Sequence, residues 1–146
     1  MKTAIAVAVA ALALACASTP PKMTDAERHA RASVVFVGNK SEAVSTLTDY
    51  FLEKGYQVDE YQEATGIIST GWRKEDMGSF YKAVAGQMEQ RLQARLRPRD
   101  DSTTSIEIWI FNRFDGKEEE LNLYAARYDD ELAKLKAYLS SIGKLA

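Results

Sequence analysis

Over residues 105–111 the chain reads SIEIWIF, with isoleucine at 106, 108 and 110 and Glu107, Trp109 and Phe111 at the alternate positions. Successive side chains of a strand point to opposite faces, so the three isoleucines fall on one side of a sheet and the aromatics on the other. Residues 91–97 alternate in the same way, Leu92, Ala94 and Leu96 against Arg91, Gln93, Arg95 and Arg97, and Asp100-Asp101-Ser102 supplies a turn between the two segments. An apolar sheet face must be covered, so the question for the remaining sequence is what covers it. Arg, Leu, Gln and Ala also favour helices, and Leu92 and Leu96 continue a four-residue spacing from Phe80, so residues 79–97 are open to a helix as well as a strand.

Two amphipathic segments can provide the cover. After a strand-like run, Val34-Val35-Phe36-Val37, either Asn39 or Ser41 can cap a helix over residues 41–54, with Val44, Leu47, Phe51 and Leu52 on one face and Gly55 at its end. Near the C-terminus Leu121, Tyr124, Tyr128, Leu132, Leu135, Leu139 and Ile142 recur at steps of three and four. That helix starts either at an Asp115–Glu118 cap or near Asp129, after a hairpin turn at Asp115-Gly116. Between the two helices, residues 56–70 read as a β-hairpin turning at Gly66. Residues 74–90 read as a loop with a helical stretch, because Gly78 and Gly86 each weaken a helix by about 1 kcal/mol. The order β-α-β-β-β-β-α predicts an α+β, two-layer fold, an antiparallel sheet with two helices packed on one face.

The N-terminus reads as an address. Residues 4–15 are twelve apolar residues behind Lys2, shorter than the roughly 20 needed to cross a bilayer and suited to a secretory signal. They end at Leu12-Ala13-Leu14-Ala15-Cys16, which resembles a bacterial lipobox with Cys16 as the acylated residue and mature N-terminus; the alternative is cleavage at Ala13-Leu14-Ala15 that leaves Cys16 as a free thiol. Cys16 is the only cysteine, so it has no disulfide partner within the chain. Residues 1–15 are therefore expected to be a lipoprotein signal peptide, residues 16–32 a lipidated N-terminus and flexible tether, and residues 33–146 one globular domain. The formal charge of −2 gives no general attraction to nucleic acid, and none is expected as a partner.

An N-terminal lipobox, a proline-bearing tether, a helix ending in Glu53-Lys54-Gly55-Tyr56, then Val58 and the hairpin Ala64-Thr65-Gly66-Ile67-Ile68-Ser69-Thr70-Gly71-Trp72 together resemble the BamC lipoproteins. These are accessory subunits of the outer-membrane β-barrel assembly machinery, built from helix-grip domains. The resemblance covers residues 33–73 and, more loosely, the second hairpin and last helix, and the chain has room for one such domain where the family usually carries two. It implies a helix-grip-like fold on the outer membrane, facing the periplasm.

Little in the chain is arranged for chemistry. The single histidine, His29, falls in the expected tether, away from any nucleophile. The acidic runs Glu118-Glu119-Glu120 and Asp129-Asp130-Glu131 read as solvated faces or a helix N-terminal turn. No catalytic residue, metal site or cofactor is expected. Trp109 and Phe111, with Arg91, Arg95 and Arg97 on the neighbouring strand and Trp72 at the end of its own, have the composition of an interface. The alternative is that the tether or the loop at 74–90 covers them. The sequence thus predicts a non-enzymatic accessory lipoprotein, held in the membrane through Cys16, that binds another envelope protein through Trp72, Arg91, Arg95, Trp109 and Phe111. The alternative function is binding of a small hydrophobic ligand or lipid between helix and sheet.

Overall fold

The computed structural model describes residues 21–76, 78–117 and 120–146, without the side chains of Phe80 and Tyr81. The segment expected to be a signal peptide and Cys16 lie outside the described residues, as do Glu118 and Glu119. The elements are α1 (Asp25–Arg31), β1 (Ser33–Val37), α2 (Lys40–Glu53), β2 (Val58–Gln62), β3 (Ile67–Thr70), β4 (Arg73–Lys74), α3 (Gly78–Ala85), β5 (Met88–Pro98), β6 (Thr103–Phe114), β7 (Glu120–Leu121) and α4 (Ala125–Ser141). The fold is two-layer α+β, with one antiparallel sheet in the order β1-β6-β5-β3-β2. β4 pairs with β5 and β7 with β6.

The alternation at residues 91–97 resolves as strand, and β5 and β6 pair along their whole lengths with Leu92 opposite Ile110, Ala94 opposite Ile108 and Leu96 opposite Ile106. Those six side chains are buried, together with Val34 and Phe36 of β1 and Ile68 of β3. α2 covers this face with Leu47, Tyr50 and Phe51, and α4 with Tyr128, Leu132, Leu135 and Leu139. The two helices touch through the Tyr50 and Tyr138 rings, 5.3 Å apart. With Tyr50, Tyr56, Tyr128, Phe36 and Phe51 all nearly fully buried, aromatic rings fill the space between the layers.

Local chemistry sets the boundaries. Asn39 caps α2, its Oδ1 accepting from the Glu42 amide at 2.9 Å, and Gly55 follows the helix at φ 79°, a conformation that glycine takes without steric cost. Asp100 closes the β5–β6 hairpin by accepting from the Ser102 amide (2.8 Å) and the Thr103 hydroxyl (2.7 Å), and those donors lower its pKa to about 2.

The structure departs from the expected boundaries at several places. Residues 25–31, assigned to the tether, form α1, in which Thr24 and Glu27 make a reciprocal capping box. Met23, Arg28 and Ala32 are buried, so the packed domain begins near Met23 rather than at residue 33. Asp115-Gly116 is a hairpin turn, with both residues at positive φ; it leads through β7 to a helix that starts at Ala125, between the two expected starts. Tyr124 and Ile142 flank that helix at the surface instead of extending its buried stripe, and on α2 it is Tyr50, not Leu52, that faces the core. Residues 78–85 form a short helix, α3, the helical stretch expected within residues 74–90, whereas β5 begins at Met88, three residues before the expected strand start at Arg91.

Candidate functional site

Pairing Arg91 with Phe111, Gln93 with Trp109, Arg95 with Glu107 and Glu89 with Arg113 places all eight side chains on the sheet face opposite the helices, because their neighbours in sequence point into the core. Ile67, opposite Arg95, and Ser69, opposite Gln93, extend this face onto β3. The structure therefore brings together four of the five residues expected to form a partner surface, and the fifth, Trp72, joins them from the segment between β3 and β4.

The arginines and aromatics interleave. The Arg28 and Arg95 guanidinium carbons lie 5.1 and 4.9 Å from the Trp109 ring centroid. Arg91 lies 4.8 Å from the Phe111 ring and 5.5 Å from that of Trp72, and Arg113 lies 4.3 Å from Trp72. Trp109 and Phe111 tilt against each other at 6.5 Å. A guanidinium over an aromatic face contributes about 0.5–1 kcal/mol when exposed and about 2 kcal/mol when desolvated. This ladder consequently fixes rotamers of long side chains that would otherwise lose entropy on binding. Trp72, Arg91, Arg95, Trp109, Phe111 and Arg113 are each half-buried, so the upper surface of the ladder remains open.

α1 borders the ladder where β1 begins, at Ser33 opposite Glu107. Ala32 accepts a backbone bond from Ile108 (2.9 Å), and Arg28 and His29 then reach the same carboxylate on the open face. Glu107 Oε1 accepts from Trp109 Nε1 at 2.8 Å and from Arg28 at 3.1 Å, and His29 Nδ1 lies 3.2 Å away. Burial works against ionisation of Glu107, but the hydrogen bonds from Trp109, His29 and Arg28 outweigh it and hold the carboxyl below its usual pKa. His29, expected in a solvated tether, is exposed yet belongs to this cluster. Part of the supposed tether thus covers one border of the face and leaves the rest open.

Glu107 gives a pH prediction. Because its folded-state pKa is lowered, the unfolded chain takes up the proton first as the pH falls below about 4.3. The stability contributed by Glu107 is therefore present above that pH and is lost as the pH drops through the folded value. Glu107→Gln is expected to cost about 1–3 kcal/mol at pH 7 and to flatten the acid limb of a plot of denaturant midpoint against pH. An unchanged acid limb would show that the carboxylate does not hold α1 in place.

Sequence reasoning missed Arg28, Glu89 and Arg113, and did not assign Glu107 a role. Extending the β6 alternation two residues beyond Phe111 reaches Arg113, and its partner Glu89 bonds it at 2.7 Å. A second polar cluster was also unforeseen. Gln90 is buried and donates to the Tyr56 hydroxyl (2.7 Å) while accepting from Arg127 (2.7 Å), and Glu75 pairs with both Arg127 and Arg73. Arg73 stacks on Tyr56 at 4.1 Å. This cluster ties β4, β5 and α4 together, with its groups paired to one another.

Among the described residues no group of three or more histidine, cysteine, aspartate or glutamate side chains is arranged to hold a metal, and no helix is long and apolar enough to cross a membrane. No protein-family model matches the chain, and no curated protein matches it.

Proposed function

We propose that the protein is a membrane-anchored bacterial lipoprotein that acts as a non-enzymatic accessory or scaffold in the cell envelope. It captures another envelope protein on the open sheet face. The observation that carries this reading is the half-buried ladder of Trp109, Arg95, Phe111, Arg91, Trp72 and Arg113 on the side of the sheet away from α2 and α4, bordered by the buried Arg28 of α1 stacked on Trp109. Guanidinium and indole groups held in fixed rotamers recognise and stack, and they are the residue types that anchor interfaces. Arg91, Arg95, Arg97 and Arg113, with Arg28 at the border, against Glu89 and Glu107 also give this face a positive balance in a chain of net charge −2, which favours a partner surface carrying carboxylates.

Anchorage follows from the lipobox at residues 12–16. Two or more acyl chains on Cys16 would hold the protein stably where one would not. The resemblance to the BamC lipoproteins supports a place on the outer membrane, facing the periplasm, and a role in outer-membrane protein assembly.

The test is Trp109→Ala. An aromatic anchor contributes about 2 kcal/mol or more to binding, so the substitution is expected to weaken partner capture from solubilised membranes about thirtyfold, at 1.4 kcal/mol per tenfold. Trp109 lies outside the helix-covered core, and the domain is expected to remain folded by denaturant midpoint. Partner capture equal to wild type by the folded variant would refute the proposed face.

A further inference from the structure

Trp109 and Arg95 cannot be covered separately. The Arg95 guanidinium lies 4.9 Å from the Trp109 ring centroid, and Ile67 stands opposite Arg95 on its other side, on β3. A partner that buries the indole therefore buries this cation as well, and a guanidinium taken out of water without a carboxylate is costly. The protein itself does not supply one. Glu107 stands opposite Arg95 in the β5–β6 register, but its Oε1 is turned to Trp109, Arg28 and His29. Glu89 is taken up by Arg113 at 2.7 Å, and Glu60, opposite Ser69 on β2, accepts from Gln62 at 3.0 Å. Arg97, two residues along the same face, is exposed and stands opposite Ser105. Among the described residues neither Arg95 nor Arg97 has a carboxylate partner.

We infer that Arg95 and Arg97 select the partner, and that the protein segment seated on Trp109 carries carboxylates beside an apolar side chain. The inference rests on the proposed capture face. Elsewhere on that face the cations are already engaged: Arg28 with Glu107 and Arg113 with Glu89, and Arg91 between the Phe111 and Trp72 rings. At the β5–β6 hairpin Arg99 is offset by Asp101. The uncompensated charge is thus concentrated at Arg95 and Arg97, not spread along the ladder. The apolar side chain follows from Ile67 and Trp109, both half-buried, which flank Arg95 and lose water together with it. As the partner excludes water, the attraction between Arg95 and its carboxylate strengthens. Arg97 stays in solvent, where a single pair is worth little, and acts mainly by steering the encounter, an effect that falls with salt.

The test is photocrosslinking in intact cells from a photoreactive residue at Gln93 of the full-length protein. Arg95→Glu with Arg97→Glu is expected to lower the yield of the protein adduct about tenfold or more. Lys117→Glu with Lys136→Glu, which changes the net charge equally, should lower it less than about twofold. Denaturant midpoints check folding, and Arg95→Gln with Arg97→Gln, expected to lose about threefold or more, serves if the reversal unfolds the domain. Mass spectrometry of the wild-type adduct should place the crosslink beside acidic residues, and lysines at those positions of the partner should restore the adduct to the charge-reversed protein. An adduct unaffected by either double variant in folded protein, or a crosslinked segment without carboxylates, overturns the inference and leaves the capture face standing. An adduct with lipid in place of protein, or none from position 93 of the otherwise wild-type chain, overturns both.

Discussion

Phe51→Ala is expected to destabilise the domain by about 3–5 kcal/mol, whereas Leu52→Ala, one residue along, should change stability by less than about 0.5 kcal/mol. Phe51 is fully buried between Tyr50, with ring centroids 5.8 Å apart, and Tyr56, at 6.5 Å. Removing its ring leaves a cavity walled by rigid aromatics that cannot collapse into the space. Leu52 is 54% exposed. A loss of about 3–5 kcal/mol is a large share of the roughly 5–15 kcal/mol that holds a domain together, so urea unfolding monitored by circular dichroism resolves the contrast readily. Similar losses at the two positions would mean that α2 is rotated about its axis.

Gly66→Ala is expected to cost about 2–5 kcal/mol for a different reason. Gly66 turns the β2–β3 hairpin at φ 67°, where a side chain adds about 1–2 kcal/mol of strain. A Cβ would also collide with the Leu96 carbonyl oxygen. That obstacle is backbone, held by the bond from Leu96 N–H to Gly66 O at 2.8 Å, so it cannot swing aside and overpacking adds about 1–3 kcal/mol. Lys40, which donates to Glu63 O at 2.7 Å, ties the same turn to α2, and the damage should reach the β3–β5 pairing. Hydrogen exchange of the β3 amides checks this, with faster exchange expected in the variant; wild-type stability would show that the turn adopts another conformation.

These two sites show what could be read from the chain. The alternations in β5 and β6 were legible because one face is apolar throughout, and a shift of one residue would invert every side chain. Gly66 was legible because a tight hairpin needs a residue that tolerates positive φ. The core face of α2 was only partly so: Ala43, Leu47, Tyr50 and Phe51 form the buried stripe, and a tyrosine competes poorly with Leu52 in a reading by hydropathy, although its ring packs as well. α1 was missed because its residues are small or charged. Its signal was the Thr24…Glu27 capping pair, and its docking depends on Arg28 finding Glu107, seventy-nine positions away. Such long-range pairing is invisible to periodicity. The open face was read from Trp109 and Phe111, but the interleaving of arginines and rings depends on strand register, which alternation within one segment does not specify.

The most direct test of the open face as the capture surface is photocrosslinking in intact cells. A photoreactive residue placed at Gln93 or Arg97, on the open face, is expected to give a discrete adduct with one envelope protein, lost when Trp109→Ala is combined with it. The same residue at Ala133 or Lys136, on the exposed side of α4, should give none. An adduct formed from α4 positions and absent from positions 93 and 97 would place the partner on the helical layer and contradict the account.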